Sequence, residues 1–496
     1  MTSQCLKLCR LLAVTAAAIA TLIFGTPKSV AAVPYFEPKA CDLPNIADVA
    51  PRVRCGVVRV PRDYSRPDGP TYALAVVIIA SAQQPVLPDP VVYISGGPGT
   101  PLTVYAGYQA HHPYAPNRDL ILVDQRGTGR SEPRLCPRLQ GALVDAMLAV
   151  ATQPSPAALA ADRAVHLACR DAVRARGIDL DTFGTAATVE DYEWVRRAVG
   201  IAHWNVVGES YGTTVAMTFL ARHPGSVRSV VLDSLNPPDA YFDLPWSARV
   251  AQARNAFLAA CGSDPTCARA YPRLPTLYQE AVARLGEVAP TIRLPQALHV
   301  PGDRARLTPS LFEEVVGRLV YYARYYAGLP RLIAATRDGD LMPVSTALTT
   351  LLAGAKGAGD EGAFIAVECR DRPRWRKAAI SAESPLDLAL LPPGVCAEWS
   401  VQGPEPEVPL DGSVPILVLQ GQFDPNIRPD ESRRVVDVLG RNARWVEFAG
   451  IGHSVRHFSL CAQRLVATFI AAPYRELDAA CATSRPKGEL QAPTEP

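Results

Sequence analysis

Val206-Val207-Gly208-Glu209-Ser210-Tyr211-Gly212 ends an apolar run in Gly-x-Ser-x-Gly. A strand that turns abruptly into a helix forces such a serine into a strained backbone conformation and holds its hydroxyl above the sheet edge. Glycines two residues to either side give the turn room, because a Cβ there would crowd strand and helix. The stretch reads as a nucleophile elbow with Ser210 as the nucleophile. A pentapeptide also arises by chance, so its surroundings must carry the reading.

Outward from the elbow, strand-like runs fall at 56–61, 72–80, 90–95, 120–124, 204–208, 229–233, 415–421 and 444–448. The later runs are short, rich in Val, Ile and Leu, and mostly lack polar alternation, as strands buried on both faces of a parallel sheet do. Helical stretches at 189–199, 213–222 and 432–439 lie between them. The alternation predicts an α/β sheet covered by helices. It stops between about 235 and 410, where helix-like material appears at 248–260, 276–285, 310–326 and 331–337. That interval reads as a mostly helical cap inserted between two core strands, over the carboxyl ends where open sheets bind substrates. The expected domains are a leader at 1–32, a first core part at 33–234, the cap at 235–410, and a second core part with a C-terminal segment at 411–496.

A serine needs an adjacent base, and the base needs an orienting acid. His453, in Gly450-Ile451-Gly452-His453-Ser454, follows the last core strand, where a loop can carry it to the elbow. The acid belongs after a strand between the two. Asp424 fits, in the turn beyond Gly421, although turns also favour aspartate for structural reasons. Asp233, at the end of the preceding strand, is its rival, and Asp430 is a further competitor. Acyl transfer also needs backbone N–H groups for the oxyanion. Tyr211 offers the N–H after the nucleophile, and Ser95-Gly96-Gly97-Pro98-Gly99 offers a second, with Gly97 preferred over Gly96. The loop Asp124-Gln125-Arg126-Gly127-Thr128-Gly129 reads as support: Asp124 and Arg126 are expected to hold architecture rather than break bonds. Its Gly-Thr-Gly lacks the rest of a dinucleotide or phosphate-loop pattern.

Composition narrows the classes. The chain has 496 residues, 48% of them hydrophobic and 20% charged, and room for a large core. Lys7 and Arg10 precede an apolar run at 11–25, and small residues follow at 29–32, the layout of an export signal. Cleavage is expected after Ala32, with Ala31 as the alternative. The apolar run is short for a membrane span, and no later stretch resembles one, so no stable span is expected in the mature chain. Removing Lys7, Arg10 and Lys28 takes the balance from 50 basic residues to 47 against 48 acidic, which gives no support to nucleic-acid binding. Ten of the 12 cysteines lie beyond the leader, an even number that suggests disulfides in an exported chain. The simplest pairing joins neighbours in sequence order. Without a Cys-x-x-Cys pair, and with no second ligand pair near His166 and Cys169, no metal is expected.

Taken together, Ser-Gly-Gly-Pro-Gly at 95–99, Asp-Gln-Arg-Gly-Thr-Gly-Arg-Ser at 124–131 and Gly-Glu-Ser-Tyr-Gly at 208–212 resemble the proline iminopeptidase/tripeptidyl aminopeptidase family of α/β-hydrolases. Gly-Gln-Phe-Asp-Pro at 421–425 and Gly-His-Ser at 452–454 are similar to its acid and histidine blocks. The export signal and cysteine count look like the secreted tripeptidyl branch of actinomycetes and other bacteria. One departure is Ser95, where many members carry histidine or glycine. The resemblance implies an α/β-hydrolase fold and a triad of Ser210, Asp424 and His453 with oxyanion donors at Gly97 and Tyr211. It also implies secreted or periplasmic exopeptidase activity on free amino termini, without a cofactor, releasing single residues or short peptides. An esterase or amide hydrolase for small molecules is the alternative. Recognition of a protonated amine calls for carboxylates near the serine, and Glu209, Glu313, Glu314 and Glu368 are the candidates. The tyrosines at 321, 322, 325 and 326 read equally as pocket lining or helix packing.

Overall fold

The computed structural model describes residues 34–483, apart from 113–116, 153–154, 238–245, 358, 373–390, 392–393, 400–402 and 404–413. The expected leader at 1–32 lies outside the described residues. Among those described, strands occur at Phe36–Lys39 (β1), Val53–Pro61 (β2), Thr71–Ile79 (β3), Val91–Ile94 (β4), Leu120–Val123 (β5), Trp204–Glu209 (β6) and Val227–Asp233 (β7). Thr291–Arg293 (β8), Arg304–Arg306 (β9), Ile416–Gly421 (β10) and Ala443–Phe448 (β11) follow. Nine of them form one sheet in the order β1-β2-β3-β5-β4-β6-β7-β10-β11. The pairs β1–β2, β2–β3 and β3–β5 are antiparallel, and every pair from β5 onward is parallel.

The two faces of the sheet sort the side chains with a period of two, as strand geometry requires. Tyr93, Val207, Leu417 and Leu419 belong to one core, and Val92, Val206, Ile416 and Val418 to the other. The first core runs on without interruption into Phe257, Phe312 and Tyr326 of the segment between β7 and β10. That segment is mostly helical, with Trp246–Ser263, Leu274–Glu287, Pro309–Tyr321, Leu329–Asp338, Met342–Gly357 and Glu361–Asp371. The helix Pro309–Tyr321 shows why it forms. Proline occupies its first turn, Thr308 Oγ1 accepts the Leu311 N–H at 3.2 Å, and Leu311, Phe312, Val315, Val316, Leu319 and Val320 make the buried stripe. The architecture is an α/β-hydrolase fold with a helical cap.

Four elements depart from the sequence reading. β1 and the short β8–β9 hairpin of the cap (Thr291↔Arg306 to Arg293↔Arg304) went unread. The helix expected over 310–326 ends at Tyr321, because Tyr322 is extended (φ −120°, ψ 120°). A separate 3-10 turn, Ala323–Tyr325, follows. This break exposes the last carbonyls of the helix to other partners, which matters below.

Parallel register brings the functional loops together. Ile94 pairs with Gly208, Glu209 with Asp233, Leu419 with Asp233, and Gly421 with Phe448. The strands carrying Ser95, Ser210, Ser234, Asp424 and His453 therefore end at one edge.

Five disulfides join Cys41–Cys55, Cys136–Cys169, Cys261–Cys267, Cys369–Cys396 and Cys461–Cys481. This is the neighbour-to-neighbour pairing read from the sequence.

Candidate active site

Ser210 stands between β6 and the helix Tyr211–Arg222 with φ 54° and ψ −123°, a conformation costly for a residue with a side chain. The surroundings hold it there. Its N–H donates to the Asp233 carbonyl at 3.0 Å, and its carbonyl accepts the Thr213 N–H at 2.9 Å and Thr213 Oγ1 at 2.6 Å. A Cβ at Gly208 would lie 2.4 Å from the Gly212 oxygen, and one at Gly212 would lie 2.2 Å from the Ile94 oxygen. Both glycines are required by close backbone approach.

His453 and Asp424 meet in the interior, each about 2% exposed. Nδ1 of the ring lies 2.7 Å from Asp424 Oδ2, so a neutral imidazole donates there and leaves Nε2 as the acceptor. The other Asp424 oxygen accepts the N–H groups of Asn426 at 2.9 Å and Ile427 at 3.0 Å, which fixes the carboxylate in its own turn. Nε2 is buried and has no hydrogen-bond partner among the described residues. Burial works to lower the imidazole pKa. The charge and hydrogen bond of Asp424, helped by Glu209 and Asp233, outweigh it and hold the pKa above the ordinary 6.5.

The cap closes on this histidine. The His453 N–H donates to the Tyr321 carbonyl at 2.8 Å, one of those freed by the helix break, and Tyr326 Oη donates to the Val320 carbonyl at 2.9 Å. The Tyr321 ring lies against the imidazole, with centroids 4.4 Å apart. Tyr321 touches the histidine directly and Tyr326 braces the helix end, while Tyr322 packs on Tyr321 and Phe458.

The rival acids are occupied elsewhere. Asp233 accepts the backbone N–H groups of Val455 and Arg456, both at 2.9 Å, and so caps the short helix Val455–Phe458 after the histidine. Asp430 pairs with Arg428.

On the other side of the elbow lies the glycine loop. A Cβ at Gly96 would fall 2.7 Å from Ser210 Cβ and 3.3 Å from its Oγ, so this backbone runs directly beside the hydroxyl. Gly97 has φ +106°, which excludes most side chains. Tyr211 begins a helix, so its N–H has no partner within that helix. Asp124 fastens the glycine loop to the next one. Its carboxylate accepts the N–H groups of Leu102 (2.7 Å), Thr103 (2.8 Å) and Arg130 (2.9 Å), and Thr103 Oγ1 (2.8 Å). Arg126 grips Asp191 with two nitrogens and also donates to the carbonyl of Thr182 at 2.7 Å. Both residues serve architecture. Asp360, which opens the cap's return helix, accepts the Gly129 N–H at 2.7 Å, and its own N–H donates to the Gly99 carbonyl at 2.9 Å.

The four carboxylates proposed for amine binding have different surroundings. Glu313 is engaged by Arg254 and Tyr278, and Glu314 pairs with Arg318 one turn on. Both sit on the cap helix Pro309–Tyr321. Glu368 is buried on the helix Glu361–Asp371. Glu209 touches Tyr93, Ser454, Arg456 and His457. Sequence reading missed Ser454, Arg456 and His457. Their one signal was position, directly behind the histidine. A cavity of about 240 Å³ bordered by Val91 and Leu120 opens at the amino ends of β4 and β5, the sheet edge opposite this site.

The chain is similar to several known proteins. A tripeptidyl aminopeptidase of Streptomyces coelicolor is 30% identical over 200 residues, covering 38% of this chain and 36% of that protein. The chain thus spans only about a third of the length of that relative. A putative hydrolase of Escherichia coli, YuaR, is 23% identical over 472 residues, 87% of this chain and 88% of that one. The serine protease Hip1 of Mycobacterium tuberculosis is 27% identical over 229 residues, covering 43% and 42%. Among solved structures, a proline iminopeptidase of Mycobacterium smegmatis aligns with a TM-score of 0.40 and 14% identity, over 84% of this chain and 97% of that one. The family model described as the alpha/beta hydrolase fold matches residues 89–458, about three quarters of the sequence. With that span running from the strand before the glycine loop to the helix behind His453, the chain belongs to the alpha/beta hydrolase fold family and has the character of a serine hydrolase.

Proposed function

We propose that the protein is an exported serine exopeptidase that removes single residues or short peptides from free amino termini. The observation that carries the chemistry is the buried Asp424–His453 hydrogen bond, which leaves Nε2 as an acceptor at the sheet edge that bears Ser210. Glu209, next to Ser210, bonds Ser454, next to His453, at 3.0 Å, so the two loops meet. In the reaction, His453 takes the Ser210 proton as the hydroxyl attacks the scissile carbonyl, and Asp424 holds the tautomer and steadies the imidazolium. The N–H groups of Tyr211 and Gly97 receive the oxyanion. His453 then protonates the leaving amine, and water releases the acyl group by the same route.

The exopeptidase part draws on the relatives, since the Streptomyces protein is named a tripeptidyl aminopeptidase and the mycobacterial one a serine protease. The export signal supports a secreted or periplasmic location. Among the described residues, no helix is long and apolar enough to cross a membrane.

The reading is tested with tripeptide p-nitroanilides carrying free or acetylated amino termini, alongside p-nitrophenyl esters. Turnover is expected with the free amine and is expected to fall sharply on acetylation. Equal turnover of both peptides, or cleavage of esters alone, would replace the exopeptidase with an esterase or amide hydrolase for small molecules.

A further inference from the structure

Glu209 belongs to the nucleophile strand, yet none of its carboxylate contacts are to the strand itself. Oε1 accepts Ser454 Oγ at 3.0 Å. Oε2 accepts Tyr93 Oη at 2.9 Å, with His457 Nε2 at 2.7 Å and Arg456 Nη2 at 3.2 Å. Tyr93 lies on β4, immediately before the glycine loop that runs beside Ser210. Ser454 follows His453, and Arg456 and His457 lie in the short helix that Asp233 caps. One side chain, adjacent to the nucleophile, therefore ties together the strand before the oxyanion loop, the elbow and the histidine loop.

We propose that Glu209 is a positioning residue: it sets the distance between Ser210 and His453 by clamping Ser454 and His457 to the elbow and to Tyr93. The inference rests on the serine-hydrolase part of the function proposed above and needs nothing from its exopeptidase part. It also replaces the expectation that Glu209 binds the substrate amine. Two basic side chains already occupy the carboxylate, both of its oxygens are engaged, and the side chain is only 14% exposed. Burial opposes its ionisation. The positive charge and hydrogen bond of His457, together with Arg456, hold its pKa well below the usual carboxylate range, so the clamp stays charged at working pH.

The titratable and charged groups that bear on Glu209 are Tyr93 from β4, Tyr108 and His112 from the segment after it, Asp233 from β7, Tyr321 and Tyr322 from the cap, and His453, Arg456 and His457 from the histidine loop and its helix, with Ser454 bonded to it. Its negative charge is one of those that raise the His453 pKa. Replacing Glu209 by Gln keeps the shape and removes that charge. The base would then deprotonate more readily, and the acid limb of kcat/KM would move to lower pH. A residue that merely fills space would leave the limb in place.

The experiment compares wild type, Glu209→Gln and Ser454→Ala. It measures the rate of labelling by a serine-directed phosphonate, and kcat and KM on p-nitrophenyl acetate and on a free-amine tripeptide p-nitroanilide. Glu209→Gln is expected to slow labelling and lower kcat on both substrates by about 10- to 100-fold, from misplacement of the reacting groups. KM is expected to stay the same and the acid limb to shift downward. Ser454→Ala removes a single hydroxyl from the clamp and is expected to change kcat in the same direction by a smaller factor. It decides the matter if circular dichroism shows that Glu209→Gln does not fold. Unchanged labelling and an unmoved limb in the folded variants would overturn the inference. So would a loss confined to KM for the free-amine peptide, which would return Glu209 to amine binding. Failure of the wild type to be labelled at all would instead overturn the serine-hydrolase mechanism, and this inference with it.

Discussion

In the proposed mechanism Asp424 and Gly96 act on the chemistry from opposite sides of Ser210, and each gives a separable signature. As the proposed base, the imidazole of His453 works only when neutral. Its pKa is raised, so activity is expected to rise with pH through a midpoint above the ordinary 6.5. Asp424→Asn removes the principal group that raises it, so the midpoint is expected to fall. Loss of the tautomer-holding carboxylate is expected to lower kcat by about 10⁴-fold. A pH–rate profile of the two proteins checks both statements. Gly96 makes a steric argument instead. Its backbone is not left-handed, so alanine costs little in conformation. The new Cβ would nonetheless lie 2.7 Å from Ser210 Cβ. Gly96→Ala is expected to lower kcat/KM by about 100-fold or more, while the overpacked loop lowers stability against urea by about 1–3 kcal/mol. Full activity in that variant would place the hydroxyl elsewhere.

Loops at the sheet edge hold their shape through elements far apart in the sequence, and Asp124 shows how much can depend on one carboxylate. It is fully buried and accepts four hydrogen bonds from the glycine loop and its neighbour. Asp124→Ala leaves those donors unpaired, and the urea midpoint is expected to drop by the equivalent of about 3 kcal/mol, with activity falling as the glycine loop shifts. What was legible in the sequence at this scale was whatever a short window encodes. The elbow, the acid turn after Gly421 and the histidine block each sit within a few residues of a strand end. β1 was missed because Phe36-Glu37-Pro38-Lys39 is four residues with a proline and no apolar alternation. β8 and β9 were missed because three residues carry too little pattern. The helix over 310–326 was read too long because its apolar spacing continues past Tyr321, whereas its end is set by tertiary contacts of the Val320 and Tyr321 carbonyls. The Glu209 network was illegible for the same reason. Tyr93 lies 116 residues from Glu209 and Ser454 lies 245, with no periodicity linking them.

Over the whole molecule, one face of the sheet and the cap share a continuous apolar core, so the cap is packed onto the site rather than tethered beside it. Two contacts carry this coupling into the chemistry. The cap's Tyr321 carbonyl holds the His453 amide, and Asp360 keys the return helix into Gly99 and Gly129. The sequence-order disulfides fit the same picture, since each closes a local stretch and none has to bridge cap to core across the chain. The central proposal is a single convergence, in which Ser210, His453 and Asp424 act as one unit. A serine-directed fluorophosphonate followed by peptide mass mapping addresses it. One adduct is expected, on the peptide containing Ser210, absent from Ser210→Ala and strongly slowed in His453→Ala. An adduct on a different serine, or labelling of Ser210 that is indifferent to His453, would contradict it.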